Sequence, residues 1–443
     1  MRIFTSTLLF VLAVVSCRLP TGDNIRLDPG QFWAQRVDNN RWYIVDTNLV
    51  YNAPGGKCRI YLEKGRSLTS AALTTIYTEF NNSIYPMVET NYGSPSDVDN
   101  NGKITILILD IKDGYSAGGG YVAGYFHPIN EYIDRHSNER EMLYMDCSPG
   151  NPGDEIFNYT MAHEFQHLVN YNQKVFVQGV GPQDIWINEG LSTSAEDLYL
   201  GHRISERIDS YSSSDITQGQ NFVSWGARGG YLGYYSTAYL FFQWLRIHSG
   251  STAIYKKIID NPNRDAEAVR EEAVASISSL SGTSWEDILR DWYAANLFKT
   301  TGIHGYGGDA AFNHSVTSLG GVSGTEYSLF PGEGIYLSIG TPASIVSSGS
   351  IKYAGLDTAG NTIDTTGDDY SGNYLLCFNV NPNRFGPTEN TGVLPSVVLK
   401  RTPNFSAFNK KISSNGKIKQ FPLDVVYNLD GSSSLKINKD SKK

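Results

Sequence analysis

The apolar and polar positions change period several times along the chain. Short strand-like runs occupy residues 41–51 and 57–63. From about Ser67, a helical spacing links Leu68, Ala71, Ala72, Thr75, Ile76, Glu79, Phe80 and Ser83, and Pro86 is expected to end it. Residues 105–110 form a continuous apolar run, which suits a strand buried on both faces. Residues 118–126 mix Gly with aromatics, as an edge strand or a loop would. A strand at 141–146 then leads through a Pro/Gly loop into a helix containing residues 161–169. Further helices are expected at 187–200, from about Tyr235 through 246, and at 252–259, 266–280 and 284–297. Beyond about residue 305, short alternating runs take over at 334–339, 350–356, 374–380 and 396–400.

The whole reads as an α+β protein. Residues 1–16 are expected to form a leader, 17–39 a tether, 40–304 the main domain, and 305–443 a β-rich, β-sandwich-like accessory domain. A length of 443 residues exceeds one ordinary core and fits this division. Hydrophobic content of 40% and charge of 18% exclude a disordered chain or a bundle of membrane helices. The net charge of −9 gives no general attraction to nucleic acid. Lys436, Lys439, Lys442 and Lys443 read as a short solvated tail.

At the N-terminus, Arg2 precedes an apolar stretch over residues 3–15 that is too short to span a bilayer. Small residues then lead to Cys17, which resembles a bacterial lipobox and implies cleavage before Cys17 and its lipidation. An ordinary secretory signal is the alternative. Either way the mature chain lies outside the cytoplasm. Cys58, Cys147 and Cys377 lack C-x-x-C spacing, so a cysteine zinc site is not expected; buried free thiols are preferred to one disulfide.

The chemistry concentrates in His163-Glu164-x-x-His167. On a helix, positions i and i+4 share a face, so two imidazoles can meet one ion while Glu164 activates a water there. A catalytic zinc site needs a third protein ligand and an open position. Glu189, in Asn188-Glu189-Gly190, is the preferred third ligand, with Glu196 as its rival. Glu196 lies seven residues on, two helical turns away, where it can accept the second N–H of a ligand histidine. Asn188 is placed with Glu196 among the supporting residues.

Together these residues resemble the gluzincin clan of zinc metallopeptidases. Residues 82–86, 97–103, 144–146, 163–171 and 285–297 point further to its hyicolysin-like branch, over about residues 40–298. The resemblance implies a two-lobed catalytic domain, a mixed sheet with the zinc helix followed by a helical lobe. It also implies one Zn2+ and protein or peptide substrates. Tyr235 is similarly placed to the transition-state tyrosine of the aminopeptidase branch and is expected to lie just before a helix; Tyr234 and Tyr239 are rivals. That branch's Gly-x-Met-Glu-Asn motif is not apparent, which favours internal cleavage. The resulting expectation is a monomeric, lipid-anchored, extracytoplasmic zinc endopeptidase. The alternative is a surface-binding lipoprotein with a silent peptidase fold.

Residues 97–103 also look like the start of a calcium loop, with carboxylates at positions 1 and 3, Asn at 5 and Gly at 6. Position 12 is Ile108, where an EF-hand requires Glu. A polar turn is therefore preferred, with Ca2+ kept as a second cofactor candidate. His127 and His136 precede the zinc helix and are read as surface residues that could border the cleft.

Overall fold

The computed structural model describes residues 27–116, 120–212, 221–225 and 231–316. In the C-terminal part it describes 318–320, 326–338, 345–347, 350–356, 362–363, 374–382, 396–399, 420–421, 424–427 and 433–436. The signal segment and Cys17 lie outside the described residues.

Six strands form the first sheet: β1 (Gln31–Gln35), β2 (Trp42–Tyr51), β3 (Cys58–Glu63), β4 (Ile104–Leu109), β6 (Gly124–Phe126) and β7 (Met142–Asp146). Their order is β1-β2-β3-β4-β7-β6. The short β5 (Tyr121–Val122) pairs in parallel with Gln420–Phe421. β4 runs parallel to both β3 and β7, and every residue in it is buried. Its continuous apolar sequence follows from that position, because side chains on both faces are covered. Ile104, Ile106 and Ile108 join the helical core, while Leu107 and Leu109 pack with Phe32, Ala34 and Val45 where the sheet curls.

Gln31–Gln35, expected within the tether, is therefore strand β1. Phe32 and Ala34 contribute an apolar face that pairs with β2 and covers the sheet. Pro86 does not end the helical segment either. Helix α1 (Ser70–Glu79) is capped by Thr69, passes into a π turn at Phe80–Ile84, and resumes as α2 (Tyr85–Tyr92). Pro86 falls in the first turn of α2, where a missing N–H is harmless.

Helix α3 (Glu155–Tyr171) begins at Asp154, whose side chain accepts the Phe157 N–H at 2.8 Å. It is followed by α4 (Ile185–Leu200), α5 (Ser205–Tyr211), α6 (Tyr231–Ser249), α7 (Ala253–Asp260), α8 (Ala266–Ser276) and α9 (Trp285–Phe298). Sequence reading does not anticipate α5, which is only two turns long. Ser284 and Asp287 form a reciprocal capping box at the start of α9.

The C-terminal strands Gly334–Ser338, Ile351–Leu356 and Tyr374–Asn379 form the centre of a five-stranded sheet. Tyr336, Ala354, Leu356, Leu376 and Phe378 on it share one apolar cluster with the helices. The Tyr336 hydroxyl donates to the carbonyl of Tyr293 in α9 at 2.7 Å. The helical core thus continues across the boundary expected near residue 305. Cys58, Cys147 and Cys377 are free thiols.

One close approach sets the helical packing. A Cβ on Gly190 of α4 would come within 2.3 Å of the Phe242 ring of α6. Gly190→Ala is expected to destabilise the protein by about 1–3 kcal/mol through overpacking. Chemical denaturation checks this, and an unchanged midpoint would refute the packing argument.

Candidate metal centre

Helix α3 is enclosed on nearly all sides, and it carries His163, Glu164 and His167 into the interior at 2%, 1% and 7% exposure. Helix α4 lies against it and brings Glu189 and Glu196 to the same place, both 3% exposed. Seven residues apart, these two carboxylates fall on one face. They meet opposite nitrogens of one ring: Glu189 Oε2 lies 3.3 Å from His163 Nε2, and Glu196 Oε1 lies 2.6 Å from His163 Nδ1.

The outer nitrogens decide what the inner ones can do. With Nδ1 of His163 donating to Glu196, its Nε2 carries the lone pair. His167 Nδ1 lies 3.0 Å from the Ser192 hydroxyl, which is also within 2.9 Å of the Asn188 carbonyl and bonded to Gln166 Oε1. Ser192 can therefore accept from His167 and donate onward, leaving a lone pair on His167 Nε2 as well. The two Nε2 atoms are 3.1 Å apart, and Glu189 Oε1 is 3.5 Å from that of His167. Two nitrogen lone pairs and a buried carboxylate facing one another repel unless a cation sits among them.

The spacing fits such an ion. Bonds of about 2.0–2.1 Å in a tetrahedral site place ligand atoms roughly 3.3–3.4 Å apart. The two nitrogens are 3.1 Å apart, and each has an oxygen of Glu189 near that edge, Oε2 at 3.3 Å from His163 and Oε1 at 3.5 Å from His167. His163, His167 and Glu189 could thus hold a metal ion. Electrostatics point the same way. Burial opposes charge on His163, yet Glu189 and Glu196 outweigh it and push its pKa up to about 10. Burial works against ionising Glu189, but the two imidazoles hold it down to about 2. The cluster attracts positive charge, whether protons or an ion.

Glu164 lies beside the cluster. Its Oε2 accepts the Phe126 N–H of β6 at 2.9 Å, and its Oε1 has no hydrogen-bond partner among the described residues. Burial raises its pKa against the pull of His163 and His167, and the Glu189 charge adds to the rise. A cleft lined by Gly124, Tyr159, Thr160, His163, Glu164 and Arg207 opens here.

The structure places the remaining expected residues differently. Tyr235 lies inside α6 rather than before it, 1% exposed and edge-on to Trp225 at 4.9 Å. The Arg207 guanidinium sits 5.3 Å from its ring and 3.8 Å from Glu196. Tyr234 packs on Trp225 at 5.5 Å. The Tyr239 hydroxyl donates to Asp197 at 2.7 Å and accepts from the Ile204 N–H, which commits it to the fold. Asn188 supports Ser192 through its backbone carbonyl, while its Oδ1 has no partner among the described residues.

His127 is neither on the surface nor at the cleft: it is 1% exposed, and its Nδ1 accepts the Ile129 N–H. Burial lowers its pKa to about 3. His136 is stacked on Trp42 at 5.1 Å. The aromatic residues Trp33 and Trp42 draw both imidazoles into the packing. The residues missed by sequence reading are Ser192 and Arg207. Ser192 carried a signal, one turn beyond Asn188; Arg207 sits on the unforeseen α5.

If His163, His167 and Glu189 hold a metal ion, removing the hydroxyl that orients His167 is expected to weaken its binding, tested with zinc, about 10–100-fold in Ser192→Ala, with the fold retained. Competition against a chelator of known affinity measures this, and an unchanged affinity would rule out the orienting role.

The chain is similar to the neutral metalloprotease ShpI of Staphylococcus hyicus, with 35% identity over 255 residues, 56% of this chain and 58% of that protein. It thus spans little more than half of that relative's length. No protein-family model matches the chain. The similarity supports a metallopeptidase family for a chain whose His163, His167 and Glu189 could hold a metal ion.

Proposed function

We propose that the protein is an extracytoplasmic, lipid-anchored zinc endopeptidase of the gluzincin type, near the hyicolysin branch. The observation that carries this reading is the convergence of two imidazole lone pairs and the Glu189 carboxylate beside the buried Glu164. Similarity to a neutral metalloprotease supports it.

Zinc held by His163, His167 and Glu189 would polarise a water and the scissile carbonyl. Glu164 acts as the general base. The Phe126 N–H fixes one of its oxygens, which leaves Oε1 to take the proton from water and pass it to the leaving amine. A pKa above the ordinary carboxylate range suits that exchange. Glu196 and Ser192 keep the two imidazoles in the ligand tautomer. Tyr235, whose ring lies 5.3 Å from the cleft-lining Arg207, is the proposed donor to the tetrahedral oxyanion.

An extended substrate would pair with the sheet edge at Gly124. A Cβ there would meet the Tyr144 carbonyl at 3.0 Å, so glycine is needed where the backbone borders the cleft. Residues 118 and 119 of the expected edge lie outside the described residues. Tyr121 and Val122 are paired with Gln420 and Phe421, and the Phe126 N–H is bonded to Glu164, so the available edge is shorter than expected.

Glu164→Gln is expected to lower casein hydrolysis about 100-fold or more while keeping one zinc per chain; Tyr235→Phe should lower kcat with zinc retained. Undiminished proteolysis by Glu164→Gln overturns the mechanism. For the anchor, Cys17→Ala is expected to move the protein from the membrane fraction to the soluble one. A wild-type chain that fractionates as soluble, with no acyl mass on Cys17, excludes lipidation. Among the described residues no helix is long and apolar enough to cross a membrane.

A further inference from the structure

A second group of acidic residues lies where the chain enters the parallel strands β4 and β7. The loop before β4 is closed by Asp97, whose Oδ1 accepts the N–H groups of Asn101 and Gly102, both at 2.9 Å. This is the polar turn expected from the sequence. Ile108 is buried within β4, so the local chain offers no EF-hand ligand at position 12. Instead, Glu141 enters from the segment just before β7. Carboxylate oxygens of Asp97, Asp99 and Glu141 lie within 4.8 Å of one another.

These groups are short of partners. Glu141 is 1% exposed; its Oε1 accepts the Val98 N–H, but its Oε2 meets no donor among the described residues. Asp99 Oδ1 and both polar atoms of the Asn101 side chain are also buried and unpartnered. Glu131 adjoins the group, 6% exposed, with Oε1 bonded to Ser96 at 3.1 Å and Oε2 without a partner. Among the described residues, none of these four carboxylates forms an ion pair. The nearest cation in sequence, Lys103, donates instead to Asn52 and to the Ala53 carbonyl. Burial, together with the neighbouring carboxylates, raises the pKa of both Glu131 and Glu141. A buried carboxylate oxygen left without an ion pair or a hydrogen-bond donor is costly, and a bound cation relieves that cost.

We propose that Asp97, Asp99, Asn101 and Glu141 form a calcium site, with Glu141 supplying from a separate strand the acidic ligand that the loop lacks. All the donors are oxygen, which suits a hard cation rather than zinc. Carboxylates at loop positions 1 and 3 with Asn at 5 match the order in which calcium loops present their ligands. The ion would join the segments entering β4 and β7, where the Thr105 N–H already donates to the Glu141 carbonyl at 2.8 Å. Because α3 follows from the opposite end of β7, the role is structural support of the strands that precede the zinc helix.

The test uses the full-length, zinc-loaded protein titrated with calcium chloride, read by calorimetry and by thermal unfolding. One calcium per chain and a midpoint rise of about 5 °C are expected near saturation. Glu141→Gln and Asp99→Asn should each bind calcium at least about 10-fold more weakly and lose most of the rise. Glu141→Gln should unfold no earlier than wild type without calcium, since it removes a buried charge. If that variant does not fold, Asp99→Asn, in the surface loop, decides alone. The proposal is overturned if wild type shows neither heat nor shift at about 10 mM calcium, above the weak end of extracellular calcium modules. An equal response to magnesium, or a wild-type response in the folded variants, overturns it too.

Discussion

The interaction on which this structure depends is the mutual repulsion of three buried lone-pair donors. His163 and His167 direct Nε2 atoms at each other across 3.1 Å, and Glu189 faces both. In water each would be solvated separately. In the interior they favour a shared positive charge, a proton or a metal ion, and their neighbours hold them in that arrangement. Glu196 and Ser192 occupy the outer ring nitrogens. Helix α4, which supplies Glu189, Ser192 and Glu196, rests against Phe242 of α6 through Gly190. The candidate metal centre and the helical packing thus share α4.

The sheet supplies the other wall. β6 is an edge strand, yet its Phe126 N–H is turned toward Glu164 rather than left open. One backbone donor consequently orients the carboxylate and ties the zinc helix to the sheet. Arg207 extends the network on the other side, between the Tyr235 ring and Glu196. Glu196 in turn bonds His163, so α5 is linked to the ring through Arg207 and Glu196.

The two acidic clusters differ in a way that follows from their donors. Around His163 the nitrogens and a single carboxylate converge in a buried space, an arrangement suited to a tetrahedral ion. Around Glu141 the donors are all oxygens, several of them on a loop that reaches solvent, and these suit a larger, harder ion. The loop and Glu141 lie at the N-terminal ends of the parallel pair β4 and β7, and the chain leaves the C-terminal end of β7 toward α3.

What the sequence determined by itself was whatever lies within a turn or two of chain. The i, i+4 histidines, the Glu between them, the seven-residue interval from Glu189 to Glu196, and the continuous apolar run of β4 are local periodicities, and each could be read directly. Tertiary structure decided everything that joins distant segments. Ser192 became an acceptor for His167 only when α4 packed on α3, Arg207 reached Glu196 from a helix too short to show a period, and Glu141 met Asp97 only through the pairing of β4 with β7. Tyr235 and Pro86 show the same limit. Their neighbours in sequence suggested a helix start and a helix end, whereas the Trp225 packing and a π turn placed both inside helical segments. Pattern reports which face a residue occupies; which partner waits on that face is settled by the burial of the rest of the chain.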